Sequence, residues 1–267
     1  MEKFRIKPNK KVELSKFDPR DQSAAPGTKQ QNTDMLATLS ARLDKLQDVF
    51  YGARSHKFLI VLQGMDTSGK DGTIRHVFKS VDPLGLRVAN FKGPTEQEKG
   101  HDFLWRIHQQ MPGDGEIVIF NRSHYEDVLI TRVHEWIDKK EVKRRLRQIN
   151  DFELMLSEHA TVIRKFFLYI SKEEQKKRLE ERLSDPEKHW KFQLGDVEER
   201  KLWDDYMKAY QDMLENTSTK HAPWYVVPAD SKTNRNLFIS RVLVQTLEDL
   251  KLTYPEPGED LSKIIIK

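Results

Sequence analysis

A chain of 267 residues with 37% hydrophobic and 33% charged residues has the composition of a soluble globular protein, and its length suits one large α/β domain. Lys and Arg number 46 against 42 Asp and Glu, leaving +4, and the absence of cysteine excludes disulfides, thiolate metal sites and cysteine nucleophiles. No stretch approaches the roughly 18 apolar residues of a membrane span, and the first five residues carry no apolar run of a signal peptide, so a cytoplasmic protein is expected.

Residues 1–33 are polar and contain Pro8, Pro19, Pro26 and Gly27, which reads as an extended arm with little structure of its own. Leu36, Leu39, Leu43, Leu46 and Phe50 then recur at helical spacing. Phe58-Leu59-Ile60-Val61-Leu62 is too short for a helix and runs into glycine, as a buried parallel strand does. Arg87 to Phe91 reads as the next strand. Thr95-Glu96-Gln97-Glu98 is a capping box that predicts a helix through Leu104 and Ile107. Ile117 to Phe120 is a third strand, and Leu146, Ile149 and Phe152 mark a helix over 142–155. Val162 to Ile170 is a strand, and Ser171 caps the helix after it. Met207, Tyr210 and Met213 sit at helical spacing as core positions. Trp224 to Val227 is the last strand, and Ile239, Leu243 and Leu247 mark the last helix. Alternating strands and helices predict an α/β fold, a parallel sheet with helices on both faces, in a single domain over 34–267.

Gly64-Met65-Asp66-Thr67-Ser68-Gly69-Lys70 has the spacing G-x-x-x-x-G-K between a predicted strand and a predicted helix. Glycines there let successive N–H groups curl around phosphate oxygens, and Lys70 adds a point charge for the terminal phosphates. The residue after the lysine, commonly the magnesium-binding Ser or Thr, is Asp71. Asp66, inside the loop, is the candidate for metal or proton. Either carboxylate also complements the helix N-terminus electrostatically, and for Asp71 that reading stays open.

The third strand ends in Asn121-Arg122-Ser123-His124-Tyr125-Glu126-Asp127, where ligands of open α/β sheets bind. An Asp commonly ends this strand in P-loop proteins, but Asn121 carries no charge, so Glu126 and Asp127 are the candidate carboxylates. His124 reads as a hydrogen-bonding support. Between Lys172 and Phe192, Arg178 and Arg182 lie four apart and share a helical face. Such a basic helix is either a solvated surface or a lid that closes over phosphates, with Trp190 and Phe192 as its anchors.

Taken together, Gly64 to Gly72, the Phe120–Leu129 segment, Gln175 to Leu179 with His189-Trp190-Lys191-Phe192, and Ala222 to Ala229 resemble the polyphosphate kinase 2 family, in order, over about residues 30–250. The resemblance implies a P-loop kinase fold similar to thymidylate kinase, with a helical lid at about 172–195. It also implies magnesium, a homo-oligomer, and phosphoryl transfer from inorganic polyphosphate to AMP or ADP. Tyr125-Glu126-Asp127 resembles the class III subgroup, which accepts both. On this likeness Gly64, Met65, Thr67, Ser68, Gly69, Lys70, Asp71, Gly72 and Asn121 hold phosphates. Asp66, Lys70, Arg122, Glu126, Asp127 and Arg178 do the chemistry. Arg122, Arg132, Arg178 and Arg182 neutralise the transferred group, and Asp66 and Asp127 hold the metal. Two other readings compete: an ATP-dependent nucleoside monophosphate kinase, which would share the fold, and a polyanion-binding protein. Nothing resembles a nucleic-acid motif.

Overall fold

The computed structural model describes residues 1–261, 264 and 266. Five parallel strands form one sheet in the order β2-β3-β1-β4-β5. They are β1 (Lys57–Gln63), β2 (Leu86–Asn90), β3 (Ile117–Asn121), β4 (Thr161–Tyr169) and β5 (Trp224–Pro228). From Phe58 to Gln63 every β1 residue is buried, because helices cover both faces of this central strand. The connections are α1 (Lys29–Ala53) before β1, then α2 (Lys70–Val77), α3 (Glu96–Lys99), α4 (Trp105–His108), α5 (Glu126–Val133), α6 (Lys139–Glu158), α7 (Lys172–Ser184), α8 (Leu194–Lys201), α9 (Trp203–Thr217) and α10 (Lys232–Asp249).

From β1 the chain crosses to β2 on one side, returns through β3, then moves to β4 on the other side. The strand order therefore reverses beside β1, and the crevice at the carboxyl ends of β1 and β3 is where a ligand site is expected. Register pairs Leu62 with Asn121, so the loop after β1 and the polar run after β3 start side by side.

Two sequence readings need correction. The helix expected from Thr95 through Ile107 is two short ones. Thr95 and Glu98 do form the capping box, but the helix stops at Gly100, and Asp102 accepts from the Leu104 N–H before α4 begins. The arm expected over 1–33 ends sooner, at Thr28, whose side chain makes a capping box with Gln31. The arm is not a detached strand of polar residues either. Phe4, Ile6, Val12, Leu14, Ala24 and Ala25 are buried in the main core, and the Ile6 N–H donates to the Trp224 carbonyl at 2.9 Å.

Candidate active site

The loop from Gly64 to Gly69 leaves β1 and delivers the chain to α2. Gly64 has φ +149°, and a Cβ there would lie 2.7 Å from the Leu168 carbonyl oxygen, so the backbone of β4 excludes any side chain. Thr67 and Gly69 are also left-handed, at φ +64° and +100°. These turns bring the free N–H groups at the start of α2 to the crevice, where anions bind. Lys70 is buried, and its ammonium donates to the carbonyls of Gly64 (2.7 Å) and Met65 (3.2 Å). Burial lowers its pKa, while the Asp66 carboxylate opposes the shift.

From β3, Arg122 reaches across to the loop. Its Nη2 lies 2.6 Å from Asp66 Oδ1. Arg122 itself adopts φ +62°, an uncommon conformation for a bulky residue, fixed where its N–H donates to the Leu62 carbonyl at 3.1 Å. Burial pushes the Asp66 carboxyl up, but Lys70 and then Arg122 outweigh it, and the group stays below the ordinary aspartate range. Burial likewise works against the Arg122 charge, but Asp66 and Glu126 overcome it and hold the guanidinium protonated.

Glu126 closes the floor. Gln63, the last residue of β1, donates its amide to Glu126 Oε1 at 3.0 Å and accepts from Ser123 Oγ at 3.0 Å. Burial raises the Glu126 pKa, against the pull of Arg122 and Lys70. Beneath this turn lies a second buried network. Lys165 donates to Glu153 (2.5 Å), the Tyr125 hydroxyl (2.8 Å) and the Thr217 carbonyl (2.7 Å), and His124 Nε2 is 3.3 Å from Glu153. His124 thus takes a supporting place and fastens the turn after β3 to α6.

Asn121 donates to Asp71 Oδ1 and to Asn90 Oδ1, both at 2.8 Å. An Asp at 121 would lose both bonds and set its charge against Asp71, which accounts for the neutral residue. Asn90 stands at the carboxyl end of β2, where ligand sites of such sheets gather, and lines the same crevice.

Three expected site residues sit elsewhere. Asp127 follows Glu126 on α5, roughly 100° around the helix, so it turns away from the loop. Its Oδ2 lies 3.6 Å from Arg106 Nη2, and it lines a separate cavity of ≈ 660 Å³. It does not line the loop crevice, contrary to its expected place there as a metal ligand. Arg132 pairs with Asp212 at 2.6 Å on the α9 side and does not line the loop crevice. Trp190, expected as a lid anchor, is 75% exposed.

The lid runs over α7, a 3₁₀ turn from Pro186 to Lys191, and α8. Arg178 and Arg182 behave differently although they share a face. Arg178 is buried and holds the loop. It donates to the carbonyls of Thr67 (3.0 Å), Ser68 (3.3 Å), Ala229 (2.7 Å) and Asp230 (2.8 Å) and to Glu174 (2.7 Å). Its guanidinium is engaged by these groups, although Arg178 also lines the loop crevice. Arg182 is more open. It donates to the Lys191 carbonyl (3.1 Å) and to Asp196 of α8 (2.9 Å). Burial and then the Asp66 charge push the Asp196 carboxyl up to about 6. A further cation, Arg235 of α10, lies buried against Ser68 and Gly69. Sequence reading missed it because nothing in a helix pattern marks a polar residue that faces inward.

Loop and lid enclose a cavity of ≈ 720 Å³ whose lining carries eight Lys and Arg side chains against three carboxylates. That excess focuses a positive field on the crevice and selects for a polyanion. Asp66 and Asp71 also line it, with Asn121 beside them. Among the described residues no three His, Asp or Glu converge as a metal cage. The donors fit magnesium, which takes one or two carboxylates together with substrate phosphates and water.

A strand–loop–helix phosphate cradle, a charged turn on the neighbouring strand and a basic lid define a P-loop phosphotransferase. The sequence model of the polyphosphate kinase 2 family matches residues 27–255, and this chain belongs to that family. It is 53% identical, over the full length of both chains, to the AMP/ADP-polyphosphate phosphotransferase of Meiothermus ruber. It is 43% identical to the ADP-polyphosphate phosphotransferase of Rhodopseudomonas palustris, over 95% of this chain and 91% of that one. The crystal structure of polyphosphate kinase 2 from Arthrobacter aurescens TC1 superposes with a TM-score of 0.94 at 45% identity, covering 98% of this chain and 93% of that one.

Proposed function

We propose that this protein transfers the terminal phosphoryl group of inorganic polyphosphate to AMP and to ADP, giving ADP and ATP. The observation that carries the reading is the cation excess around one cavity, continuous from the phosphate loop to the lid. A phosphoryl group in flight carries charge on its equatorial oxygens, and catalysis consists of positioning and neutralising it. The N–H groups of the loop and α2 hold the phosphates. Lys70, now turned onto its own loop carbonyls, exchanges them for phosphate oxygens when the chain enters. Arg122, set by Asp66, faces the same space. Asp66 and Asp71 would hold magnesium, which supplies charge neutralisation across the phosphates when bound. Glu126, at the base of the same cluster, is the residue on which AMP acceptance rests, and the relatives named above for AMP/ADP and ADP support that pair of acceptors. A homo-oligomer in the cytoplasm completes the reading. Among the described residues no helix is long and apolar enough to cross a membrane.

The experiment is a donor exchange. Purified protein with magnesium and AMP or ADP receives polyphosphate in one tube and ATP in another. New ADP and ATP in the polyphosphate tube support the reading. Product from AMP with ATP alone would make it an ATP-dependent monophosphate kinase, and binding without product would leave a polyanion-binding protein.

A further inference from the structure

Five Lys and Arg side chains are buried among the described residues: Lys70, Arg106, Lys165, Arg178 and Arg235. Arg106, Lys165 and Arg178 each have a carboxylate within 4 Å. Lys70 and Arg235 form no such ion pair, and these two lie on either side of one loop. Arg235 is 2% exposed. Its Nη1 is 3.4 Å from the Ser68 carbonyl, and Nε and Nη2 both donate to Asn236 Oδ1, at 3.1 and 2.9 Å. These bonds engage each of its three nitrogens once and leave its charge uncompensated. Burial, and then the neighbouring Arg178, pull its pKa down to about 9.

The loop is shaped around this guanidinium. A Cβ on Gly69 would lie 1.8 Å from Arg235 Nη1, and one on Gly72 would lie 3.2 Å from Nη2. Both glycines of Gly69-Lys70-Asp71-Gly72 therefore face Arg235, and the second, which no phosphate-loop spacing requires, is accounted for by it. A buried charge with no counter-ion is costly, and the cost is removed when an anion arrives.

We propose that Arg235 is a positioning residue for the phosphate chain, a fixed positive charge behind the loop whose counter-charge is the anion bound on the loop's open face. The inference deepens the preceding reading of the cleft and rests on it. The ligand-free protein carries the unpaired charge as a strain, and polyphosphate relieves it. Arg235 touches the loop and not the reacting atoms, so its effect falls on phosphate affinity.

The test is tripolyphosphate with magnesium, titrated calorimetrically, beside thermal melts without ligand. Two variants bracket the charge. Arg235→Met removes it at similar length. Asn236→Asp leaves it in place and gives it a permanent carboxylate partner at the atom that already accepts two of its bonds. Each is expected to bind tripolyphosphate about tenfold more weakly, the effect of one charge acting through partly screened surroundings. Asn236→Asp is expected to melt higher than wild type, and Arg235→Met no lower. A residue that only props the loop would give the opposite result: a lower melting temperature for Arg235→Met and unchanged affinity for Asn236→Asp. Should Arg235→Met fail to fold, its loss counts against the inference and Asn236→Asp decides it. Wild-type protein that does not bind tripolyphosphate would overturn the cleft reading itself. Wild-type binding matched by both variants would overturn the role of Arg235 alone.

Discussion

Arg122 Nη2 stands 2.6 Å from Asp66 Oδ1, and this one contact joins the carboxyl end of β3 to the loop that follows β1. It lets one strand set the side chain that another strand's loop presents to the crevice. Lys70 shifts Asp66, Glu126 shifts Arg122, and Lys70 and Glu126 act on each other, so the four form one electrostatic unit whose members should respond together to mutation.

The first prediction concerns Glu126 and pH. Its folded pKa is raised from the ordinary 4.5 by burial. The folded protein therefore holds the proton more tightly than the unfolded chain does. Its stability contribution is present below the unfolded pKa and is lost as pH rises through the folded one. Glu126→Gln keeps the bond partners but cannot ionise. Melting temperatures between pH 4 and 8 are expected to fall less for Glu126→Gln than for wild type as pH rises. Parallel curves would contradict the shift.

The second prediction separates substrates. Glu126→Asn is expected to reduce phosphorylation of AMP more than that of ADP, read as kcat/KM for each at saturating polyphosphate. Equal losses would assign Glu126 a general role in holding Arg122 and Lys70.

The third sets Arg178 against Arg182. Arg178→Gln leaves four carbonyls and Glu174 without their buried donor and is expected to cost about 3 kcal/mol, a drop of roughly 6–10 °C in a protein of this size. Arg182 is partly exposed, so Arg182→Gln should leave the melting temperature nearly unchanged. It should instead raise the KM for polyphosphate and flatten its dependence on salt, since one fewer counterion is released. Kinetics at several salt concentrations, beside melts of both variants, check this. Equal melting temperatures for the two variants would contradict the distinction.

These contrasts also show what could be read from sequence. The five strands were legible because each is a short apolar run beside glycine or a cap, and their alternation with helices implies the parallel sheet. The loop and Asn121-Arg122 were legible because ligands gather at strand carboxyl ends. What tertiary contact decides was not. Arg178 and Arg182 look equivalent at i and i+4, yet one faces the loop carbonyls and the other faces α8. Glu126 and Asp127 look equivalent as neighbours, yet the helix turns one to the loop and the other to Arg106. Phe4, Ile6, Val12 and Leu14 lie too far apart in a polar segment to show a period, although all four are buried. Arg235 leaves no local pattern at all, and the loop spacing that marks Gly69 says nothing of the side chain it makes room for.

The central claim, that the Gly64–Lys70 loop brings polyphosphate to an adenine nucleotide, is tested most directly by following AMP with polyphosphate and magnesium by ³¹P NMR, for wild type and Lys70→Ala. In the proposed reading Lys70 is the charge placed among the terminal phosphates, with its stabilisation expected to be greatest in the transition state. The account predicts new ADP and ATP resonances with wild type and a turnover at least about 100-fold lower with Lys70→Ala. A Lys70→Ala protein that turns over near the wild-type rate would contradict it.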